Sequence, residues 1–225
     1  AALVEALAEA GLQQSQVASL VNPKRVPQMA DAAELFAAIR RKPGVRYTGL
    51  WLNEQGFDRA RATAPVDLVG SLYFYASDAF SRMNNGLGAG EQAQSQRSWV
   101  ARYRDAGLPI EAAYVMTAFG CNVEGEVSEE QLAQRLRFLA QLQRDEGFVV
   151  PKVYLADTVG MANPQSVVQR VDLARRLLPG ACIGLHLHDT RGLGMANALA
   201  ALQQGVDLFD ASIAGLGGCP FCGNA

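Results

Sequence analysis

The sequence has 225 residues, of which 49% are hydrophobic and 19% are charged, and its formal net charge is −2. This composition is typical of a folded globular protein with a sizeable core, and it gives no electrostatic basis for binding nucleic acid or an anionic membrane surface. No apolar run approaches the roughly 20 residues that cross a bilayer, and the first residues lack a signal-peptide pattern, so we expect a cytoplasmic location (the mitochondrial matrix in a eukaryote).

Helix-like and strand-like segments alternate along the whole chain. Apolar spacing and flanking caps predict helices over residues 2–11, 31–41, 54–63, 91–106, 128–145, 164–178 and 192–204. Short apolar runs predict strands over residues 15–21, 46–52, 67–75, 110–118, 149–156, 182–188 and 206–213. Ser128 and Gln131 form a capping box at the start of one helix, and Asn84-Asn85-Gly86 is typical of a polar loop.

Each predicted strand except the last is followed by a helix, and no two successive strands form a hairpin. This order requires parallel pairing with right-handed crossovers. An open doubly wound sheet also satisfies it, but seven such units favour a (β/α)8 TIM barrel, with residues 1–225 as one domain. Because the chain starts in a helix, we expect the first barrel strand and the C-terminal helices to lie outside it.

Both histidines of the chain lie in one short segment, residues 185–190, at the end of a predicted strand. Alternation along a strand places His186 and His188 on the same face, about 6–7 Å apart. With Asp189 beside them, two imidazoles on one face predict ligands of a divalent metal. The alternative is a pair of histidines on a solvated strand face.

In a barrel, active-site groups lie at the carboxyl ends of strands and in the loops that follow. Polar residues occupy these positions after most of the predicted strands, namely Ser19, Asn22, Asn53, Ser77, Asp78, Thr117, Asp157 and Thr158. For Asn53 and Asp78 we favour a simple capping role. For Asp157 we favour a functional carboxylate at the barrel mouth over a helix cap.

The glycine-rich segment 214–224 carries Cys219 and Cys222. A Cys-x-x-Cys spacing occurs in redox and zinc sites, but a thioredoxin-like motif starts a helix after an early strand, and a structural zinc needs further ligands nearby. We therefore favour Cys219 as a single acid on a mobile loop. Without a secretory signal, Cys121 and Cys182 are also expected to be reduced.

Several segments together make the chain similar to the 3-hydroxy-3-methylglutaryl-CoA lyase family, one branch of the divalent-metal aldolase-like barrels that include isopropylmalate and homocitrate synthases. His-x-His-Asp-Thr is shared across these barrels, whereas Gly-Leu-Gly-Gly-Cys-Pro is specific to the lyases. The resemblance spans essentially the whole chain and is carried by Asn22-Pro23-Lys24, Val26-Pro27-Gln28-Met29, Ala76-Ser77-Asp78, Phe119-Gly120-Cys121, Asp157-Thr158-Val159-Gly160, His186-Leu187-His188-Asp189-Thr190 and Gly215-Leu216-Gly217-Gly218-Cys219-Pro220.

The resemblance implies a retro-Claisen cleavage of a 3-hydroxy-3-methylglutaryl thioester to acetoacetate and acetyl-CoA. It implies Mg²⁺ or Mn²⁺ as the cofactor, with His186, His188 and Asn224 as ligands. Cys219, His186 and Asp157 are the implied catalytic residues. An acyl-CoA substrate and a homodimer are expected by resemblance alone.

Three departures from the family pattern qualify these expectations. The family's first-strand Arg-Asp-Gly-x-Gln segment is absent, so residues 1–225 by themselves are expected to be inactive or to bind metal weakly. Gln16 stands where the lyases carry a glutamate, which puts the acyl-CoA substrate in doubt. Only Phe221 and Cys222 separate Cys-Pro from Gly-Asn, so the loop is shorter than in the family or the sequence has a gap at Cys222–Gly223, and we favour the gap. A Claisen synthase and a non-catalytic paralogue are the alternatives.

Overall fold

The computed structural model describes residues 1–24 and 26–216, which fall into two compact units that meet between residues 69 and 70. Each unit is described by itself, and the single domain expected over residues 1–225 stays a prediction. In the described part of the chain, no helix is both long and apolar enough to cross a membrane.

The first unit contains two parallel strands and three α-helices. The elements are α1 (Ala2–Glu9), β1 (Gln14–Ser19), α2 (Ala32–Ala38), β2 (Arg46–Leu50) and α3 (Glu54–Ala62). The pairing of β1 with β2 shifts register between Gln16 and Ala18, where one extra residue enters β1.

The second unit contains a five-stranded sheet with the order β3-β4-β5-β6-β7, in which every pair is parallel. The elements are β3 (Gly70–Tyr75), α4 (Asp78–Asn85), α5 (Ala89–Asp105), β4 (Ile110–Met116), α6 (Glu129–Glu146), β5 (Lys152–Ala156), α7 (Pro164–Leu177), β6 (Cys182–His186), α8 (Gly194–Gln203) and β7 (Leu208–Asp210). The predicted parallel βα alternation is therefore confirmed in the described residues.

The loop predicted around Asn84-Asn85-Gly86 is wrong, because these residues close a short helix. Ser77 caps α4 by accepting a hydrogen bond from the Phe80 amide at 3.0 Å, and Gly86 ends it in the left-handed conformation at φ +79°. The ring of Phe80 is buried and stacks on that of Tyr75 at 6.1 Å between centroids. The helix was missed because Asn84-Asn85-Gly86, which is typical of a turn, forms its last residues and its left-handed C-cap.

Strand β6 is shorter than expected and ends at His186, so His188 lies in the following loop. The chain turns there because the Gly192 amide donates to the Asp189 carbonyl at 2.8 Å and the Gly194 amide donates to Asp189 Oδ1 at 2.7 Å. The alternation argument for a common face therefore applies to His186 alone.

Three tyrosines form a stacked row across the sheet, which we call the tyrosine row: Tyr73, Tyr114 and Tyr154. They pair directly across β3, β4 and β5, with ring centroids 5.4 Å apart for Tyr73 and Tyr114 and 4.6 Å apart for Tyr114 and Tyr154. The next residue in the row is Gly184, where a Cβ atom would lie 2.9 Å from the side chains of Tyr154 and Leu208. Glycine therefore leaves the space that the last ring of the row requires.

We predict that Gly184→Ala destabilises the full-length protein by about 1–3 kcal/mol, because the added methyl group must displace Tyr154 or Leu208. Gly180→Ala is the matched control, since a Cβ there meets nothing within 4 Å, and it should change stability by less than about 0.5 kcal/mol. Urea unfolding followed by circular dichroism measures both. Equal stability of the two variants would contradict the packing argument.

Candidate metal and catalytic site

The carboxyl ends of β3 to β7 lie along one edge of the second unit, because these strands are parallel and adjacent in sequence order. The strand registers align one terminal residue from each strand along this edge. These residues are Tyr75, Met116, Ala156, His186 and Asp210. The loops that follow them therefore start from the same edge, which is where barrel enzymes place catalytic groups.

The two histidines meet at this edge. Their Nε2 atoms are 3.2 Å apart and their ring centroids are 5.2 Å apart, which is closer than spacing along a strand predicts, because His188 leaves the strand and turns back. Burial, with His186 as a second cause, lowers the pKa of His188 to about 4. At neutral pH the His188 imidazole is therefore uncharged, with one ring nitrogen a donor and the other an acceptor.

Asp210 is a site residue that the sequence reasoning missed. Its Oδ2 atom lies 3.1 Å from His186 Nδ1, and both side chains are about one-third exposed. The register pairs the two residues directly across β6 and β7. The available signal was a carboxylate inside the last predicted strand, residues 206–213; the observed strand β7 is shorter and ends at Asp210.

Asp157 follows β5 and is 1% exposed. Its Oδ1 atom accepts hydrogen bonds from the amides of Met161 at 2.6 Å and Ala162 at 3.1 Å, whereas Oδ2 has no hydrogen-bond partner among the described residues. Burial raises the pKa of Asp157 to about 6 despite these two bonds. One oxygen therefore holds the loop after β5, whose following helix is capped by Asn163, and the other oxygen is buried without a partner among the described residues.

Hydroxyl groups connect the ends of three neighbouring strands. The Ser77 amide donates to Thr117 Oγ1 at 3.1 Å, and the Thr117 amide donates to Thr158 Oγ1 at 2.7 Å. Thr117 is fully buried at φ +53°, a left-handed conformation that is strained for a β-branched residue. The polar strand ends predicted at Ser77, Thr117 and Thr158 are thus brought together as a connection between strands.

The loop after β5 packs closely against the loop after β6. Gly160 has φ +71°, and a Cβ atom there would lie 2.6 Å from Thr190 Oγ1. Asn197 on α8 donates from Nδ2 to the Ala162 carbonyl at 3.2 Å. Glycine is required at position 160 both by the backbone conformation and by this contact. The loops of Asp157 and His188 therefore hold each other in place.

The histidine pair fits a divalent metal ion as part of its ligand set. Two ligands at right angles and about 2.1 Å from one ion lie about 3 Å apart, close to the 3.2 Å between the two Nε2 atoms. Within residues 1–24 and 26–216, no cluster of three or more His, Cys, Asp or Glu side chains is grouped to bind a metal. The predicted ligand Asn224 and the predicted catalytic Cys219, with Cys222, lie outside the described residues.

Other predicted positions lie in the first unit. Asn53 caps α3 by accepting from the Gly56 amide at 2.8 Å, and Asn22 Oδ1 accepts from the Lys24 amide at 2.9 Å. Ser19 ends β1, and Gln16 is exposed on the same strand. In the second unit, exposed Asp78 accepts from the Ala89 amide at 2.9 Å, so both Asn53 and Asp78 have the local bonding that a capping role requires.

Comparison with known proteins shows a consistent set of relatives. The mitochondrial hydroxymethylglutaryl-CoA lyase of Bos taurus is 34% identical over 223 residues, which are 99% of this chain and 66% of that protein. The solved hydroxymethylglutaryl-CoA lyase of Pseudomonas aeruginosa superposes with a TM-score of 0.85 at 34% identity, over 98% of this chain and 70% of that one. An HMG-CoA lyase of Acinetobacter baumannii, solved with coenzyme A and 3-methylmalate, gives 0.81 at 33% identity, covering 98% and 69%.

These likenesses confirm the predicted fold class, the (β/α)8 TIM barrel, with seven of its strands in the described residues. The chain spans slightly less than two thirds of the bovine relative's length. Because the HMGL-like family matches residues 1–225 in full, the chain belongs to the HMGL-like family.

Proposed function

We propose that the full-length protein is a divalent-metal-dependent lyase that cleaves 3-hydroxy-3-methylglutaryl-CoA, or a related 3-hydroxyacyl-CoA, to acetyl-CoA and acetoacetate or the related keto acid. The observation that carries this proposal is the pair of histidine Nε2 atoms 3.2 Å apart, one strand away from a buried carboxylate with a free oxygen. The catalytic cysteine signature at Cys219 supports it from the sequence. The relative solved with coenzyme A supports an acyl-CoA as the substrate class.

His186, His188 and Asn224 would hold Mg²⁺ or Mn²⁺, which supplies Lewis-acid polarisation of the substrate C3 hydroxyl and carboxylate oxygens. Both imidazoles suit this role only as neutral ligands, and burial keeps His188 in that form at neutral pH. We favour Mg²⁺ or Mn²⁺ over Zn²⁺ because an amide oxygen and substrate oxygens complete the set.

The reaction consists of removal of the hydroxyl proton, cleavage of the C2–C3 bond and protonation of C2. A general base takes the proton from the C3 hydroxyl oxygen as the C2–C3 bond breaks, C3 becomes the ketone carbon of acetoacetate, and the bond pair passes into the thioester enolate. Cys219 is assigned as the acid that delivers a proton to C2 to give acetyl-CoA. Asp157 is assigned by the resemblance as a carboxylate of the substrate pocket, and its Oδ2 atom is buried without a hydrogen-bond partner among the described residues.

Gln16 bears on which thioester is cleaved. It is a neutral amide on β1, so it keeps hydrogen-bonding capacity but carries no negative charge to pair with an arginine. A paralogue with a different 3-hydroxyacyl group is therefore part of the proposal. A homodimer is proposed from the family resemblance alone. A location in the cytoplasm or the mitochondrial matrix is proposed from the relatives, which include mitochondrial and cytoplasmic enzymes.

We predict that the purified full-length protein releases acetyl-CoA from 3-hydroxy-3-methylglutaryl-CoA or a longer homologue when Mg²⁺ or Mn²⁺ is present. EDTA should abolish the release, and either metal should restore it. His188→Gln should lower kcat/KM by about 100-fold or more, because one neutral ligand is lost. Acetyl-CoA is measured with a coupled citrate synthase assay.

The matched control is Met195→Gln, since the Met195 side chain is 82% exposed on α8, and it should leave the rate unchanged. Failure of the full-length protein to cleave any of these thioesters with either metal would rule out the proposed function.

We predict that Asp157→Asn lowers kcat by about 100-fold or more but leaves the thermal midpoint within a few degrees of the wild type. The asparagine Oδ1 can still accept from the amides of Met161 and Ala162, whereas the acceptor at Oδ2 is replaced by a donor. Asp78→Asn is the control, because Asp78 is an exposed aspartate at the start of α4 whose carboxylate also accepts a backbone amide. A wild-type kcat in Asp157→Asn would show that Asp157 only holds the loop amides of Met161 and Ala162 and takes no part in the reaction.

We predict that Cys219→Ala lowers the cleavage rate by about 100-fold or more, because the enolate loses its acid. Steady-state kinetics in the cleavage direction measure this loss, and the matched control is Cys182→Ala, since Cys182 is an exposed free thiol on β6. Unchanged activity of Cys219→Ala, together with condensation of acetyl-CoA onto a keto acid, would instead indicate a Claisen synthase.

A further inference from the structure

Asp210 makes a contact that the proposed reaction does not use. Its Oδ2 atom lies 3.1 Å from Nδ1 of His186, whereas the other ring nitrogen, Nε2, faces His188. The carboxylate therefore lies on the opposite side of the imidazole ring from the His188 nitrogen. This geometry separates a group that orients the ring from the atom that can bind an ion.

The contact determines which ring nitrogen carries the hydrogen. An ionised carboxylate is only an acceptor, so Nδ1 of His186 must donate, and the lone pair of the neutral ring is then on Nε2. A negative charge behind the ring also increases the basicity of Nε2 as a ligand. Asp210 thus selects the tautomer that a metal ligand requires.

Asp210 also contacts Tyr114. The Tyr114 hydroxyl hydrogen-bonds the Asp210 carboxylate, and burial raises the pKa of this phenol, so it stays a donor at neutral pH. The ring of Tyr114 is fixed between those of Tyr73 and Tyr154 in the tyrosine row. Strand β4 thereby positions a carboxylate on β7, although the two strands are not neighbours in the sheet.

We propose that Asp210 is a positioning residue that fixes the Nδ1–H tautomer and the orientation of His186, and that Tyr114 holds Asp210 in place for this role. The inference rests on the metal site of the proposed function but is independent of which thioester is cleaved. It predicts that loss of the Asp210 charge weakens metal binding without unfolding the protein.

We test the proposal with Asp210→Asn in the full-length protein, using Mn²⁺ alone as the probe. The dissociation constant, from the electron paramagnetic resonance signal of free Mn²⁺, should rise by about 10- to 100-fold. In the metal-free protein, the ¹⁵N shifts of the His186 ring should change from the pure Nδ1–H tautomer to a mixture. The thermal midpoint should stay close to that of the wild type.

Tyr114→Phe should weaken Mn²⁺ binding less than Asp210→Asn does. Tyr154→Phe is its matched control, because Tyr154 belongs to the same stack but its phenol pKa is raised by burial and nearby charge and not by a hydrogen bond to Asp210. This variant should bind Mn²⁺ as the wild type does. Unchanged Mn²⁺ affinity and an unchanged His186 tautomer in Asp210→Asn would overturn the inference even if the protein is a lyase. Weakened Mn²⁺ binding in a protein that cleaves no thioester would support the inference and reject the lyase.

Discussion

The direct register of β5, β6 and β7 is the constraint on which the candidate site depends. It pairs Ala156 with His186 and His186 with Asp210, and the Asp157 amide donates to the His186 carbonyl at 2.8 Å. A shift by one residue would turn His186 to the other face of the sheet and separate it from Asp210. The site is therefore a property of strand pairing first and of loop conformation second.

Polar and strained groups collect at this edge at a cost to stability. Asp157 is buried with one unpartnered oxygen, His188 is desolvated, and Thr117 adopts a left-handed conformation. The tyrosine row lies one step below on the same face and supplies stacked aromatic packing. Rigid packing directly beneath the site is what allows these unfavourable groups to keep their positions.

Local patterns in the sequence were sufficient for the strands, most of the helices and the histidine pair. The buried runs at residues 153–156 and 183–185 predict strands without reference to the rest of the chain. Asp210 and Tyr114 were not predictable in the same way, because their contact joins β4 to β7 across almost 100 residues of sequence. Helix α4 was missed because its last residues and C-cap, Asn84-Asn85-Gly86, have the composition of a turn.

The negative charge of Asp210 beside His186 influences which metal ion the proposed site can bind. The ligand set that we propose, two imidazoles and an amide oxygen, brings no negative charge to a divalent cation, and hard ions such as Mg²⁺ bind best to anionic oxygen ligands. Asp210 places one negative charge behind His186, where it acts through the ring. In the proposed site, Asp210 thus supplies part of the charge that the proposed ligands lack, so the residue behind a ligand contributes to metal binding along with the ligand itself.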